Sequence, residues 1–436
     1  MEIVDTTKRY DLVGIGIGPF NLGMAALADE SEVDAIYFDQ KEEFNWHPGM
    51  LIDGADLQVP FLADLVTIAD PKSPYTFINY LHEHDRLYQF YFFNKLDIPR
   101  KEYNAYTRWV ASKLSNCFFG KRVIDVNYAE EKECYNVTIE DVKTRRSAVI
   151  QAKHVVLGTG SVPNIPQGFE SYPLEDVLHT NHYLFHEKEL KKSKSVTVVG
   201  SGQSAAEVFY DLLHDQEEYG YQINWLTRSA GFFQLESAKL GQEVFSPDYV
   251  SYFHGLSFDD RKDALSTLGT LRKGIDPSTL KNIYHLLYHR SSEKPLDVMI
   301  QPLAEVNGVE KSEGYYELSC RQWQEDNEFE VKTEKIVLAT GYKPHFPEWF
   351  KRIENEIEWE DEKRFKVERD QQLVFKDGRM NHVFSLTNLD HSHGTGATNL
   401  ALSVERNKRV LNAVAGKSLF KVNTNTVFQQ FSSKER

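Results

Sequence analysis

The sequence predicts an α/β protein that contains two Rossmann-like dinucleotide-binding domains. Two stretches, 9–29 and 195–213, carry this prediction, because each passes from a short apolar run through closely spaced glycines into a helical pattern. A buried parallel strand is typically a short apolar run, and its tight exit into a helix requires residues without a Cβ. A third apolar run, 335–342, ends in Ala-Thr-Gly-Tyr and resembles the strand that closes such folds.

The first glycine turn has the pattern G-x-G-x-x-N, formed by Gly16, Gly18 and Asn21. In such a turn the first glycine permits the bend, and the second lets backbone N–H groups approach a pyrophosphate at the helix N-terminus. A plain glycine-rich turn would look similar. The next apolar run ends at Asp39, where an acid typically hydrogen-bonds a ribose, and this favours a dinucleotide site.

The second glycine turn follows four consecutive β-branched residues and opens another helix. The residues expected to contact its cofactor are Gly200, Ser201, Gly202, Gln203 and Ser204. The next strand ends in Arg228 instead of an acid, and a guanidinium pairs with a 2′-phosphate, so NADPH is preferred to NADH. Arg228 as a plain surface charge is the alternative. An acid after one turn and an arginine after the other indicate two cofactors, FAD first and NADPH second.

Two further segments are candidates for contact with a planar ring system. The stretch 41–67 is rich in aromatic residues and broken by Pro and Gly, so Trp46 or His47 would stack on a ring and Gln58 would supply an amide contact. Simple packing of this loop on its domain is the alternative. The last glycine-rich segment, 389–401, would place the backbone of Thr398, Asn399 and Leu400 against a flavin.

Composition excludes several classes of protein. A length of 436 residues indicates two or three domains, and a net charge of −15 argues against a nucleic-acid or anionic-membrane partner. The three cysteines have no metal or redox-pair spacing, and His391 and His393 lack a third ligand, so no metal is expected. No signal peptide or long apolar run is visible, which predicts a soluble cytoplasmic protein.

The positions of the two glycine turns also predict a division into domains. We expect an FAD-binding domain built from 1–165 and completed by 330–436, with an NADPH-binding domain at 190–330 inserted into it. The substrate region is expected at the interface of the two, a usual place for ligand sites.

Seven motifs together resemble the flavin-dependent N-hydroxylating monooxygenases of siderophore biosynthesis, the lysine/ornithine N-monooxygenase family. They are GIGPFNL at 16–22, NWHPGM at 45–50, LQVPFLADLVT at 57–67, GSGQSAAE at 200–207, KLGQEVFSPDYV at 239–250, ATGY at 339–342 and HSHGTGATNLAL at 391–402. The motifs follow the family's order and span nearly the whole chain.

The resemblance implies a reaction and a set of partners. NADPH would reduce FAD, O₂ would add to the reduced flavin to give a hydroperoxide, and a neutral terminal amine would take its distal oxygen. The cofactor carries this chemistry, and the protein orients the reactants and excludes water from them. The partners are then a small amine and O₂, and relatives that form tetramers suggest a homo-oligomer.

A departure from the family pattern bears on the substrate. Members that hydroxylate ornithine or lysine carry a Lys five residues after the Gln that matches Gln58, and this Lys pairs with the α-carboxylate. Here that position is Ala63, which cannot bind an anion. A second departure lies at 271–275. Substrate contacts are expected at Ala63, Leu271 and Ala401.

The simplest substrate without a carboxylate is an aliphatic diamine such as cadaverine, putrescine or 1,3-diaminopropane. Three acidic residues, Asp53, Asp56 and Asp64, are expected to help attract such a dication. L-lysine stays open as an alternative, because another cation can hold a carboxylate. A non-catalytic redox sensor that binds NADPH and FAD is the alternative from a different class.

Overall fold

The computed structural model describes residues 4–271 and 274–433. The strands are β1 Arg9–Ile15, β2 Ala35–Phe38, β3 Asp56–Pro60, β4 Asp97–Pro99, β5 Cys117–Phe118, β6 Lys121–Ala129, β7 Cys134–Asp141, β8 Ser147–Leu157, β9 Ser161–Pro163, β10 Val177–His179, β11 Ser195–Val199, β12 Gln222–Leu226, β13 Val298–Gln301, β14 Ala304–Ser312, β15 Tyr315–Gln322, β16 Asn327–Thr333, β17 Lys335–Leu338, β18 Tyr342–Pro344, β19 Trp359–Asp361, β20 Arg364–Phe365 and β21 Val383–Ser385. The helices are α1 Pro19–Asp29, α2 Phe77–Glu83, α3 Leu87–Phe93, α4 Arg100–Lys113, α5 Tyr183–Lys191, α6 Gln203–Tyr219, α7 Lys239–Gln242, α8 Pro247–His254, α9 Phe258–Thr267, α10 Pro277–Ser291, α11 Phe350–Glu354, α12 Asp390–His393 and α13 Ala401–Ala415.

The first sheet has the strand order β5-β2-β1-β8-β7-β6, and β21 pairs with β8. Strands β2, β1, β8 and β21 are parallel, whereas β6, β7 and β8 form an antiparallel meander. β1 is apolar along most of its length because both faces of the sheet are covered. On one face α1 lies against α13, so the end of the chain completes the unit that the beginning starts.

The second sheet has the order β10-β17-β11-β12-β13, with every neighbouring pair parallel. Helix α6 follows β11 and packs on this sheet through Ala205, Val208 and Phe209, which are fully buried. Two sheets, one mixed and one parallel, each with a parallel strand, a glycine turn and a helix, form the α/β architecture that the sequence predicts. β10 and β17 lie outside 190–330, so this sheet is wider than the predicted second domain, and the domain division stays a prediction.

The chain passes between the two sheets twice, and the two passages pair with each other. β9 follows the first sheet and β18 follows β17, and they form a short antiparallel ladder. An additional antiparallel sheet, β14-β15-β16, precedes β17. The two sheets are therefore joined at the β9–β18 ladder, which lies directly after Gly158 and Ala339 at the ends of β8 and β17. We call this region the seam. Within the described residues, the helices are too short or too polar to cross a membrane.

Candidate active site

The first glycine turn follows β1 and is shaped by close backbone contacts. Gly16 has φ +84°, and a Cβ there would lie 2.6 Å from the carbonyl oxygen of Gly158, so other residues do not fit. Asn21 is fully buried, and its Nδ2 donates to the Gly16 carbonyl at 2.7 Å. Asn21 therefore helps to hold the turn in shape through its Nδ2, while its buried Oδ1 has no hydrogen-bond partner among the described residues.

The N-terminus of α1 is open beside this turn. Gly18 starts the helix with extended backbone (φ −89°), and a Cβ there would meet nothing within 4 Å among the described residues. Asp39 lies alongside, where its Oδ2 accepts the Ile17 N–H at 2.7 Å and its Oδ1 accepts the Lys41 N–H at 2.8 Å. A helix N-terminus without a side-chain cap, next to a fixed carboxylate, suits a pyrophosphate and a ribose.

The second turn repeats this geometry at the end of β11. Gly200 has φ +144°, and a Cβ there would lie 2.3 Å from the Ala339 carbonyl oxygen. Gly202 starts α6 with φ −90° and is as open as its counterpart among the described residues. Trp225 Nε1 donates to the Gly200 carbonyl at 2.8 Å, so β12 also fixes the turn. This N-terminus therefore suits a second dinucleotide.

The side chains around the second turn differ in their contacts. The Ser201 hydroxyl lies 2.8 Å from that of Ser229, which ties the turn to the segment that carries Arg228, an exposed side chain. The Gln203 amide is occupied within the protein, because its Oε1 accepts the Asp276 N–H at 2.7 Å and its Nε2 donates to Glu207 at 2.9 Å. Gln203 and its neighbour Ser204 start α6, so their backbones face the open N-terminus.

A buried ion pair links the two glycine-turn units, and sequence reasoning did not identify it. Arg100 starts α4, and its two terminal nitrogens donate to Glu207 on α6 at 2.8 and 2.7 Å. The side chains are 12% and 6% exposed. Arg100 also donates to the Met50 carbonyl at 3.2 Å, so it touches the aromatic loop as well. The available signal was a glutamate inside the apolar run Ala-Ala-Glu-Val-Phe.

The aromatic loop lies at the seam between the sheets. The ring of Trp46 lies 5.2 Å from Tyr103 and 4.9 Å from His47. His47 has left-handed backbone (φ 47°), and its ring lies 5.7 Å from Tyr342. This conformation is uncommon for a non-glycine residue. Burial and the nearby positive charge of Arg100 lower the pKa of His47 to about 4, so its imidazole is neutral at neutral pH.

The stretches predicted to contact substrate lie beside α13 or beside the turn that precedes it. Ala63 is 4% exposed and ends the 3₁₀ turn Phe61–Ala63, which lies beside α13, whereas Gln58 on β3 is exposed. Leu271 ends another 3₁₀ turn, which lies beside the turn Thr395–Thr398 that leads into α13. Residues 272–273 of the second substrate segment lie outside the described residues. The fold thus brings three sequence-distant segments together.

The segment before α13 is anchored from both sides. Thr398 is exposed and Leu400 is half-buried, while Asn399 Oδ1 accepts the Ala401 N–H at 2.8 Å. Arg406, on α13, donates to the Ala397 carbonyl, and its guanidinium lies 4.2 Å from the Phe20 ring. Because Phe20 belongs to the first turn of α1, the predicted flavin segment is held next to the predicted pyrophosphate site.

Asp64 is buried and bound within the protein, whereas the sequence predicts that it helps to attract a substrate. It is 3% exposed, and its carboxylate accepts the backbone N–H groups of Val66, Thr67 and Phe77 at 3.0, 2.7 and 2.8 Å. Asp53 is exposed and pairs with Lys101. Buried carboxylates are usually retained for such backbone contacts, so Asp64 is a structural residue that fixes the chain after Ala63.

The two histidines of the last glycine-rich segment bind backbone atoms. His391 Nε2 lies 2.7 Å from the Phe365 carbonyl, and His393 Nε2 lies 3.1 Å from the Arg369 carbonyl. Both rings are buried, and burial lowers the pKa of each. The described residues contain no cluster of His, Cys, Asp and Glu that could hold a metal ion.

Comparison with known proteins gives a consistent result. Residues 8–344 match the family model described as L-lysine 6-monooxygenase/L-ornithine 5-monooxygenase. A putrescine N-hydroxylase of Shewanella oneidensis is 38% identical over 426 residues, which cover 97% of this chain and 84% of the relative. A putrescine N-hydroxylase of Acinetobacter baumannii is 37% identical, over 97% of this chain and 94% of the relative.

A solved structure agrees in fold over the full length. It is DfoA bound to FAD, described as the cadaverine monooxygenase of the desferrioxamine biosynthetic pathway from Erwinia amylovora. The TM-score is 0.94 and the identity 37%, with coverage of 99% of this chain and 100% of the other. The α/β fold and the family resemblance predicted from sequence are thereby confirmed.

Proposed function

This chain belongs to the L-lysine 6-monooxygenase/L-ornithine 5-monooxygenase family, and we propose that it hydroxylates one terminal nitrogen of an aliphatic diamine. The product would serve hydroxamate siderophore biosynthesis. FAD, NADPH and O₂ are the co-reactants. The relatives named putrescine N-hydroxylase and cadaverine monooxygenase support this choice of substrate class.

The observation that carries the proposal is the small side chain of Ala63. It stands where the resemblance places a lysine that binds the α-carboxylate of an amino acid, and it is buried in a turn that lies beside α13. A methyl group provides neither the charge nor the hydrogen bonds that a carboxylate requires once it leaves water. A diamine has no carboxylate, so it fits this position without that cost.

The site residues divide into groups that bind cofactors and groups that bind substrate. Gly18 and Asp39 would hold the pyrophosphate and a ribose of FAD, and Gly202 and Arg228 would hold NADPH. When bound, FAD supplies the oxygen-transfer chemistry and NADPH supplies the electrons. The neutral His47 ring presents one N–H and one acceptor nitrogen without adding a positive charge that would repel an amine.

The substrate must arrive as a cation and react as a neutral amine. A free amine carries its proton at neutral pH, and burial between α13 and the turn Phe61–Ala63 disfavours the charged form. The amine gives this proton to water as it binds, which exposes the nitrogen lone pair for reaction. We further propose that the protein acts in the cytoplasm as a homo-oligomer, without nucleic acid or membrane as a partner.

The decisive experiment measures hydroxylamine formation by the purified FAD-bound protein with NADPH. Cadaverine, putrescine, 1,3-diaminopropane, L-lysine and L-ornithine are compared, and product is counted instead of NADPH loss, since uncoupled oxidation consumes NADPH without product. We expect product from at least one diamine and little from either amino acid. Product mainly from L-lysine would refute the role of Ala63 while leaving the reaction class intact.

A further inference from the structure

Helix α3 presents an unusually apolar face to solvent. Its sequence is Leu-Tyr-Gln-Phe-Tyr-Phe-Phe, and none of these residues is buried. Tyr88, Tyr91 and Phe92 are 80%, 72% and 77% exposed. They are spaced i, i+3 and i+4 and so share one face of the helix. Contiguous apolar patches of this kind on soluble proteins usually mark interaction sites.

The exposed face continues beyond the helix. Leu96 is 60% exposed, and its carbonyl accepts the Phe61 N–H at 2.8 Å, which places it beside Leu62, 48% exposed. Leu87 and Phe93 complete the patch at 38% and 39% exposure. We name the whole patch the α3 surface, and its members are Leu62, Leu87, Tyr88, Tyr91, Phe92, Phe93 and Leu96.

The outward side chains are not needed to hold α3 on the protein. Phe90 does this on the inner face, where its ring lies 5.2 Å from Phe61 and 5.6 Å from Phe77. A helix fixed only to the body of a monomer would normally carry polar residues on its outer face. Gln89 is the polar residue of α3, so the outer face requires another explanation.

We propose that the α3 surface packs against the same surface of a second copy of this chain, related by a two-fold axis. With aromatic side chains of about 150–250 Å² each, the exposed part of the patch amounts to roughly 800 Å², the area that one partner buries in a stable interface. A two-fold contact must be self-complementary, and a flat aromatic face meets this requirement. At its edge Lys95 pairs with Asp56 of the same chain at 4.0 Å, so the rim carries balanced charge that does not repel a second copy.

The contact would also affect the site. The α3 surface includes Leu62, the neighbour of Ala63, so a second copy covers the outer side of the turn Phe61–Ala63. This inference goes beyond the proposed function, since it concerns which face associates and does not depend on the identity of the amine. A membrane is a poorer occupant, because α3 has no Lys or Arg and the chain carries a net charge of −15.

The test measures the mass of the FAD-bound full-length protein by sedimentation velocity at concentrations from low to high micromolar. The variants are Tyr91→Arg and Phe92→Arg, which place like charges opposite each other across a two-fold contact. The matched control is Tyr284→Arg with Tyr288→Arg, a pair spaced i, i+4 on α10 and 69% and 66% exposed. Flavin absorbance and the thermal midpoint verify that each variant is folded.

We expect the unchanged protein and the α10 control to associate, and each α3 variant to raise the dissociation constant of the dimer at least tenfold. A monomeric unchanged protein overturns the proposal, as does an oligomer that the α3 variants leave intact. Co-flotation of the unchanged protein with vesicles of phosphatidylcholine and phosphatidylglycerol, lost in the α3 variants, identifies the surface as a lipid contact and also overturns it.

Discussion

At the scale of single residues, Ala63 is the position where one side chain separates two substrate classes. It is nearly inaccessible at 4% exposure, and the chain on either side of it is fixed by the ring contact of Phe61 with Phe77 and by the four hydrogen bonds of Asp64. Contacts on both sides of Ala63 therefore hold this turn. A larger side chain at this buried position has to enter the space beside it, so we expect it to alter what the turn presents to a ligand.

We predict that Ala63→Lys lowers kcat/KM for the preferred diamine about tenfold or more, equivalent to ~1.4 kcal/mol, because an added ammonium repels a cationic substrate. The matched control is Ala63→Met, which adds similar volume without charge. Product formation at several ionic strengths is the measurement, since repulsion weakens in salt and crowding does not. An equal loss in both variants would assign the effect to size and remove the electrostatic argument.

The pH dependence of stability also has a contribution from a single residue, His154. His154 lies on β8, where its Nδ1 accepts the His382 N–H at 2.9 Å and its ring stacks on His382 at 5.4 Å. Burial, with a smaller effect of the neighbouring His382, lowers the pKa of His154 to about 4. Between pH 6.5 and 4, His154 binds a proton in the unfolded chain but not in the folded protein. The free energy of unfolding therefore falls as the pH falls through this interval.

His154→Asn keeps an acceptor for the His382 N–H and removes the titrating ring. We predict that the loss of stability between pH 7 and pH 4.5 becomes smaller by about 2 kcal/mol in this variant. Urea unfolding of the FAD-saturated protein at both pH values provides the measurement. The exposed histidine His82 gives the control His82→Asn, and an unchanged pH dependence in His154→Asn would show that other groups dominate acid unfolding.

At the scale of elements, the two glycine turns and Asp39 beside the first of them were predictable, whereas the roles of Asp64 and Glu207 were not. Each glycine turn is a local feature. At Gly16 and Gly200 a Cβ would collide with a carbonyl oxygen at the end of the neighbouring strand, so the glycine pattern alone indicates the turn. The roles of Asp64 and Glu207 depend on segments far away in the sequence. Asp64 binds the chain at Phe77, and Glu207 binds Arg100 across 107 positions.

The C-terminal segment is a second element whose structure the sequence does not indicate. It is polar, yet its backbone is bound by two carboxylates of the α7–α8 region. Glu243 accepts the N–H groups of Phe428 and Gln429 at 3.1 and 2.9 Å, and Asp248 accepts those of Asn425 and Thr426 at 2.7 and 2.8 Å. Polar backbone held by carboxylates leaves no apolar periodicity for sequence analysis to detect.

We predict that the double variant Glu243→Gln, Asp248→Asn releases this segment, because an amide is a weaker acceptor than a carboxylate and offers one oxygen instead of two. A broad-specificity protease should then remove residues after 421 severalfold faster, as followed by intact mass. Glu325→Gln, in the loop between β15 and β16, is the control. Equal cleavage in all three proteins would mean that the carboxylates do not hold the segment.

At the scale of the whole molecule, the two dinucleotide units meet at a seam, and the Arg100–Glu207 pair lies within it. Glu207 also receives the Gln203 amide, so the pair touches the second glycine turn, while Arg100 touches Met50 in the aromatic loop. In the proposed reaction NADPH reduces FAD, so the two units have to hold the reactive rings of their cofactors close together. A rigid link between these two points fixes their separation, and its charges are buried, so it is sensitive to the loss of either partner.

We predict that Glu207→Gln destabilises the protein by about 3–5 kcal/mol, because it leaves the Arg100 charge buried without its partner, whereas the double variant Arg100→Met, Glu207→Met is close to unchanged in stability. Both variants should slow flavin reduction by NADPH and leave reduction by dithionite unchanged, since dithionite does not require the second unit to be positioned. Urea unfolding and stopped-flow absorbance are the measurements. A double variant that is reduced by NADPH at the normal rate would show that the pair stabilises the seam without positioning the two units for electron transfer.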